Sequence, residues 1–413
     1  MFILADDLGW GDVGWNNPLM ADVTQSLSKL ANSGITLSQY YVQQVCTPSR
    51  SALLTGDFFI GFHLPSSFLH TSGMYPYHIG RQKGALKPLQ PTGLTLNRTL
   101  LPEKLKSLGY KSHIVGKWHL GFCNTKYTPT ERGFDTFFGY YTGAEEYFNH
   151  SRANGYDFRS NHTINREAKG QYSTDLFTDH SVNIIENHMK NEIPSPLFLY
   201  IPFQAVHAPL EAPRSEYLNL NKTGNIPRDI YRAMLARLDK GVDKIVQTLK
   251  KSGMWNNTLL VFSTDNGGAV HEAGSNYPLR GTKGTLFEGG THGVGFVAGG
   301  HLKRRGVVHK GLFHITDWYP TLLSAATIGN IRIDNVDGID QLNALQHDYE
   351  ANRQTMVYNL KILPVSGAIR VGPYKLMFAP KFNKDEWYNP DNKTILKQNE
   401  KLTFRNDKIT RKE

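Results

Sequence analysis

Cysteine is nearly missing from this chain: 413 residues contain two, Cys46 and Cys123. Two thiols cannot build a disulfide framework, so the fold must rest on a packed core. Long apolar runs are missing too, and nothing approaches the roughly 20 residues needed to cross a bilayer. No basic-then-apolar leader opens the chain, which begins "MFILADDLGW" as though already inside a buried strand, so a preceding segment is expected. Acidic residues are in deficit, 36 against 46 lysines and arginines, and the net charge of +10 suits an acidic partner. Nucleic acid, a membrane surface and a sulfated or phosphorylated polymer all qualify. No basic block is longer than "LKRRG", so a merely soluble basic surface competes with these readings.

Composition and length fit one large domain with a smaller one. Short apolar runs end in polar clusters at "MFILADD", "SHIVGKWH", "PLFLYIPFQAVH" and "LLVFSTDN". Helix-like segments lie between them, over Ser49–Thr55, Leu101–Gly109 and Tyr231–Gly253. This alternation predicts an α/β fold, a large and mainly parallel sheet flanked by helices, with ligands gathered beyond the carboxyl ends of the strands. After "HITDWYPTLLSAATIG" the pattern shifts to shorter strands and a basic tail, "RNDKITRKE", expected to fray. A boundary therefore falls near residue 327, with domains over 1–327 and 328–413 and the second incomplete. Acceptors of the form Asn-x-Ser/Thr at Asn97, Asn149, Asn161, Asn221, Asn256 and Asn392 lean toward a secretory protein.

Asp6 and Asp7 follow one strand-like run, and Asp265 and Asn266 follow another. Each pair alone reads as a turn or helix cap; together they offer oxygens suited to calcium or magnesium and ill suited to zinc. Lys117, His119 and His207 come from two further strand ends, and Lys283 from the glycine-rich "LRGTKGTLFEGG". Singly, such residues serve structure or solubility. Converging with Arg50 on Cys46 at a helix N-terminus, they would form a positive pocket for a tetrahedral oxyanion. Simple thiolate catalysis fits poorly: a thiol phosphatase places five residues between cysteine and arginine, whereas here only Thr47, Pro48 and Ser49 intervene.

"CTPSRSALLTG" and "GYKSHIVGKWHLG" resemble the two signature motifs of the sulfatases. With "ILADDLGWGDVGWNN", "FSTDNGG" and "LRGTKGTLFEGG", the likeness extends from residue 2 to about 325 and is nearest the arylsulfatase B type, the N-acetylgalactosamine-4-sulfatases. The resemblance implies an alkaline phosphatase-like sulfatase fold and oxidation of Cys46 to formylglycine by the formylglycine-generating enzyme, which reads Pro48 and Arg50. It further implies calcium held by Asp6, Asp7, Asp265, Asn266 and the modified Cys46. Arg50 and Lys117 would hold the formylglycine hydrate, His119 would bond it and assist sulfate release, and His207 and Lys283 would bind sulfate and protonate the leaving alcohol. The implied substrate is a sulfated glycosaminoglycan, the implied location lysosomal or secreted, with no nucleic-acid partner and no membrane span.

Two features depart from the family pattern. Asp57–Gly73 reads as an insertion, since excising it joins "LLTG" directly to "MYPYHIG". Cys123 has no available partner. Two rivals stay open at this point: a phosphoester or phosphonate hydrolase of the same superfamily, and an inactive secreted homologue that binds polyanions.

Overall fold

A computed structural model of the chain describes residues 1–55, 84–190, 195–327, 336–347, 349, 352–362, 365–378, 402–405 and 408–411. The segment Asp57–Gly73 lies outside the described residues.

Ten strands form one sheet: β1 (Phe2–Ala5), β2 (Ile35–Leu37), β3 (Lys111–Lys117), β4 (Thr136–Tyr140), β5 (Phe158–Ser160), β6 (Thr163–Ile164), β7 (Leu197–Pro202), β8 (Leu260–Thr264), β9 (Gly295–Ala298) and β10 (Val307–His309). Their spatial order is β10-β2-β9-β8-β1-β7-β3-β4-β5-β6. The central run β8-β1-β7-β3-β4 is wholly parallel, and β9 and β5 flank it antiparallel.

The apolar runs are continuous because both faces of the sheet are covered. Successive side chains alternate, so Ile3 and Ala5 enter one core and Phe2 and Leu4 the other. Helices α1 (Gln25–Ser33), α4 (Ser173–His188) and α5 (Ile226–Lys251) pack on the Ile3 face. Helices α2 (Cys46–Leu54), α3 (Leu101–Ser107) and α6 (Trp318–Thr327) pack on the Phe2 face.

Two helices begin earlier than their apolar periodicity indicates. The start of α5 is Ile226, not Tyr231, because the Asn225 side chain caps the Arg228 amide and Pro227 occupies the first turn. The start of α2 is Cys46, not Ser49, and all nine of its residues are buried.

A C-terminal antiparallel sheet of Thr355–Ile362, Val365–Val371 and Tyr374–Phe378 packs through Met356, Tyr358 and Ala368 onto Tyr41 and Leu286. The basic tail does not simply fray. Its strand Lys408–Arg411 pairs with Leu402–Arg405 and with Glu211–Pro213, so ladder hydrogen bonds order it where periodicity gave no signal. No helix among the described residues is long and apolar enough to cross a membrane.

Candidate active site

Four neighbouring parallel strands, β8, β1, β7 and β3, carry the polar clusters at their carboxyl ends. β1 runs into Asp6 and Asp7, and β8 into Asp265 and Asn266. β3 ends on Lys117 shortly before His119, and the chain leaving β7 reaches His207. Main-chain bonds fix these ends together: the Asp6 amide donates to the Ala205 carbonyl (3.0 Å), the Val206 amide to the Asp6 carbonyl (2.8 Å), and the Asp265 amide to the Ala5 carbonyl (3.2 Å).

Cys46 is the first residue of α2, and no side chain caps that terminus. Cys46 thus stands at the positive end of the helix dipole, and Pro48 removes one donor that would otherwise need a partner. Arg50, four residues on, shares a face with Cys46. It is fully buried, donating Nε to Asp265 Oδ2 (3.0 Å), one terminal nitrogen to Asp6 Oδ2 (3.3 Å) and the other to the Lys117 carbonyl (3.1 Å). Arg50 thus ties α2 to β1, β3 and β8. Removing it strands two buried carboxylates, so Arg50→Met should cost about 3–5 kcal/mol of stability. Urea unfolding of that variant checks this, and a loss below about 1 kcal/mol would contradict it.

Three carboxylates meet three cations here. Lys117 pairs with Asp6, and Lys283 reaches both Asp7 oxygens at 2.6 and 2.8 Å. One oxygen from each of Asp6, Asp7 and Asp265 lies within 4.8 Å of the others. Burial works against every one of these charges. Against it, Lys117, His207 and Arg50 hold Asp6 well below the usual carboxylate range, while burial and the neighbouring Asp6 push Asp265 up to about 8. For Cys46, burial would raise the thiol, but Lys117 and Lys283 bring it down to about 6.

Two acceptors are left over. Asp6 Oδ1 and Asn266 Oδ1 are buried without a hydrogen-bond partner, although Asn266 Nδ2 donates to Asp7 Oδ1 (2.7 Å). Orphaned oxygens beside clustered carboxylates fit a hard cation. Asp6, Cys46 and His207 also approach one another within 4.8 Å, a softer set that exists only while residue 46 keeps its sulfur.

His119 is buried, and burial with nearby Lys117 holds it far below its usual pKa, hence neutral. Its Nε2 faces the Leu86 carbonyl (2.9 Å), an acceptor, so Nε2 carries the proton and Nδ1, otherwise unpartnered, offers a lone pair. Gly143 lies beneath the ring, where an added Cβ would come within 2.7 Å of Nε2. His207 behaves oppositely: burial and Lys283 lower its pKa, but Asp7 and Asp6 outweigh them and hold it above 6.5. Its Nδ1 donates to the Ala208 carbonyl (2.6 Å), which leaves Nε2 facing Asp7 and Cys46. Asp7 and His119 have φ of 60° and 58°, strained values of the kind that gather at functional sites.

The ten side chains singled out in the sequence therefore lie close to one another beyond the strand ends. Sequence reasoning missed the residues behind them. Asp12 accepts from the Gly9 amide (2.9 Å), the Ser275 amide (3.0 Å), Arg228 (2.6 Å) and the Tyr231 hydroxyl (2.5 Å), stapling the loop after Asp7 to α5 and to the loop before Lys283. Tyr147 donates to the His207 carbonyl (2.8 Å). An aspartate closely flanked by glycines in "LGWGD" was the one available signal for Asp12. Tyr147 had none.

Sheet order and pocket together define an alkaline phosphatase-like fold. The chain belongs to the sulfatase family, which residues 1–328 match. It is similar to arylsulfatase J of Mus musculus, 41% identical over 367 residues that cover 87% of this chain and 58% of that protein. It is also similar to N-acetylgalactosamine-6-sulfatase of Mus musculus, 32% identical over 394 residues that cover 91% and 71%. The chain thus spans 58% of the length of the first of these relatives. Among solved structures, Ps i-CgsB in complex with k-i-k-neocarrahexaose superposes with a TM-score of 0.78 at 27% identity, covering 91% of this chain and 82% of that one.

Proposed function

We propose that this chain hydrolyses sulfate esters, with residue 46 oxidised to formylglycine by the formylglycine-generating enzyme and a calcium ion held at the strand ends. The reading rests chiefly on one observation: Cys46 opens a buried helix within a pocket that also holds Lys117, Lys283, His119, His207 and the orphaned oxygens of Asp6 and Asn266. When present, the formylglycine hydrate supplies one hydroxyl to attack sulfur and a second whose deprotonation expels sulfate, while calcium adds positive charge beside the transferring group. Asp6, Asp7, Asp265 and Asn266 would offer the oxygens for that ion, together with residue 46.

Lys117 and Lys283 bind the sulfate oxygens. His119 Nδ1 accepts a proton from the residue 46 side chain, and His207 Nε2 donates one to the departing alcohol. Arg50 neutralises Asp265 and Asp6 from behind, rather than facing the substrate.

The substrate we infer is N-acetylgalactosamine 4-sulfate in dermatan or chondroitin sulfate, as for the arylsulfatase B type. The net charge of +10 suits a polyanion, and N-acetylgalactosamine-6-sulfatase, a relative, is named for the same sugar. Protein produced through a secretory pathway should release sulfate from 4-sulfated disaccharides faster than from 6-sulfated ones. It should also outpace phosphate release from a matched ester. Preference for the phosphate ester, or salt-sensitive chondroitin binding without turnover, overturns the reading.

Calcium should raise the melting temperature reversibly, and a chelator should lower it. Asp7→Asn removes one carboxylate and should weaken calcium binding at least about 10-fold, measured by isothermal titration. A better response to magnesium would reassign the ion.

A lysosomal or secreted location is part of the proposal. Asn97, Asn149, Asn161, Asn221 and Asn256 are all exposed, and Asn392 lies outside the described residues. Glycosidase treatment of material from a eukaryotic secretory host should therefore lower its mass by several glycans. An unchanged mass would count against that location.

A further inference from the structure

The short helix Glu288–Thr291 bonds to three of the segments that build the site, those carrying Asn266, Lys283 and Cys46. The Gly290 carbonyl accepts from the Gly267 amide (3.1 Å), directly behind Asn266. That approach is so close that a Cβ on Gly267 would sit 1.9 Å from the Gly289 carbonyl oxygen. The Gly289 amide donates to the Arg280 carbonyl (2.7 Å), at the root of the loop that carries Lys283. The Thr291 carbonyl accepts from the Val42 amide (2.8 Å), on the segment leading to Cys46.

Glu288 anchors this turn, and two of its partners, Lys375 and Arg370, come from the C-terminal sheet. Lys375 Nζ lies 2.8 Å and an Arg370 terminal nitrogen 3.0 Å from Glu288 Oε1, while the Tyr41 hydroxyl donates to Oε2 (2.9 Å). His292 Nδ1 is 3.6 Å from Oε2. Lys375 also donates to Thr291 Oγ1 (3.1 Å) and lies over the Tyr358 ring, and Arg370 lies over the Tyr41 ring. The central strand and one outer strand of a small sheet thus grip one carboxylate at the start of the turn.

We propose that Glu288 is a positioning residue, through which Arg370 and Lys375 of the C-terminal sheet set the separation between Asn266 at the cation site and Lys283 at the sulfate site. It acts through the backbone of Gly289 and Gly290 and touches no substrate. Burial opposes the charge on Glu288, but Lys375 and then Arg370 bring its pKa down to about 2, so the clamp stays intact in acidic surroundings. The C-terminal sheet is on this view part of the catalytic apparatus.

The inference rests on the sulfatase reading of the pocket, and calcium binding separates the two. Glu288→Gln keeps the shape and removes the charge; Lys375→Met removes one jaw of the clamp and covers the case in which Glu288→Gln folds poorly. Misplacement by a fraction of an ångström should lower kcat on a sulfate ester about 10- to 100-fold with little change in KM. It should also weaken calcium binding several-fold in a titration with the metal alone. The double variant should lose no more than the worse single one, as expected of one unit. Calcium affinity and kcat both within twofold of wild type, with only the melting temperature lowered, would reduce Glu288 to a structural tie. Weakened calcium binding in a protein whose wild type turns over no sulfate ester would retain the clamp and refute the sulfatase reading instead.

Discussion

Cys46→Ala is expected to fold, to bind calcium through Asp6, Asp7, Asp265 and Asn266, and to show no measurable hydrolysis, a loss on the order of 10⁴-fold or more. His119 turns its Nε2 to a carbonyl, and Lys117 and Lys283 are paired with Asp6 and Asp7. Cys46→Ser separates attack from release. Its single hydroxyl can attack sulfur, but it has no second hydroxyl whose proton loss could expel the sulfate. A covalently sulfated enzyme should therefore accumulate, visible as one sulfate added to the peptide around residue 46 in mass spectrometry.

The unconverted thiol has its own signature. Lys117 and Lys283 hold it near 6, so its alkylation should already be half-maximal near that pH, unlike that of an ordinary cysteine. Alkylation at residue 46 should then fall in proportion as activity rises across preparations of increasing conversion. Full activity in Cys46→Ala, or activity that tracks the free thiol, would end the formylglycine proposal.

The pocket was largely legible before the fold because its residues stand where apolar runs stop. A buried parallel strand must be apolar on both faces, so the first polar side chain after it marks both its end and the sheet edge where ligands collect. Asp6, Lys117 and Asp265 all follow that rule, and parallel pairing then brings them together from distant positions. What stayed hidden depends on partners remote in sequence. Asp12 carries meaning only once Arg228, Tyr231 and Ser275 surround it. Glu288 looks like an ordinary helix-start acid until Arg370 and Lys375 arrive from another sheet. The early start of α2 was missed because Cys46 and Thr47 lack helical periodicity, yet this start is what puts Cys46 itself in the first turn. The strand at Lys408–Arg411 pairs not only with its neighbour Leu402–Arg405 but with Glu211–Pro213, an edge remote in sequence.

His207→Gln should expose how the proton reaches the leaving oxygen. Two groups stand close enough to supply it, and their electrostatics differ. Burial would lower the Lys283 pKa, but Asp7 lifts it far above the usual lysine value, so its proton is held too tightly to transfer. Burial and Lys283 would lower the His207 pKa, but Asp7 and Asp6 lift it above 6.5, so it is charged in mildly acidic solution and can donate a proton. A sugar alkoxide is a far stronger base than a nitrophenolate and needs that proton much more. Turnover of a sugar sulfate should accordingly drop about 10²- to 10⁴-fold in His207→Gln, while that of 4-nitrophenyl sulfate should drop less than about 10-fold. The sign of the pH dependence follows: only protonated His207 can donate, so wild-type kcat on the sugar sulfate should fall as pH rises through its elevated pKa. In the variant that alkaline limb should disappear. Lys283→Met, by contrast, removes a sulfate-binding charge and should depress both substrates alike. Equal losses on the two substrates in His207→Gln, with the alkaline limb unchanged, would move the acid role away from His207.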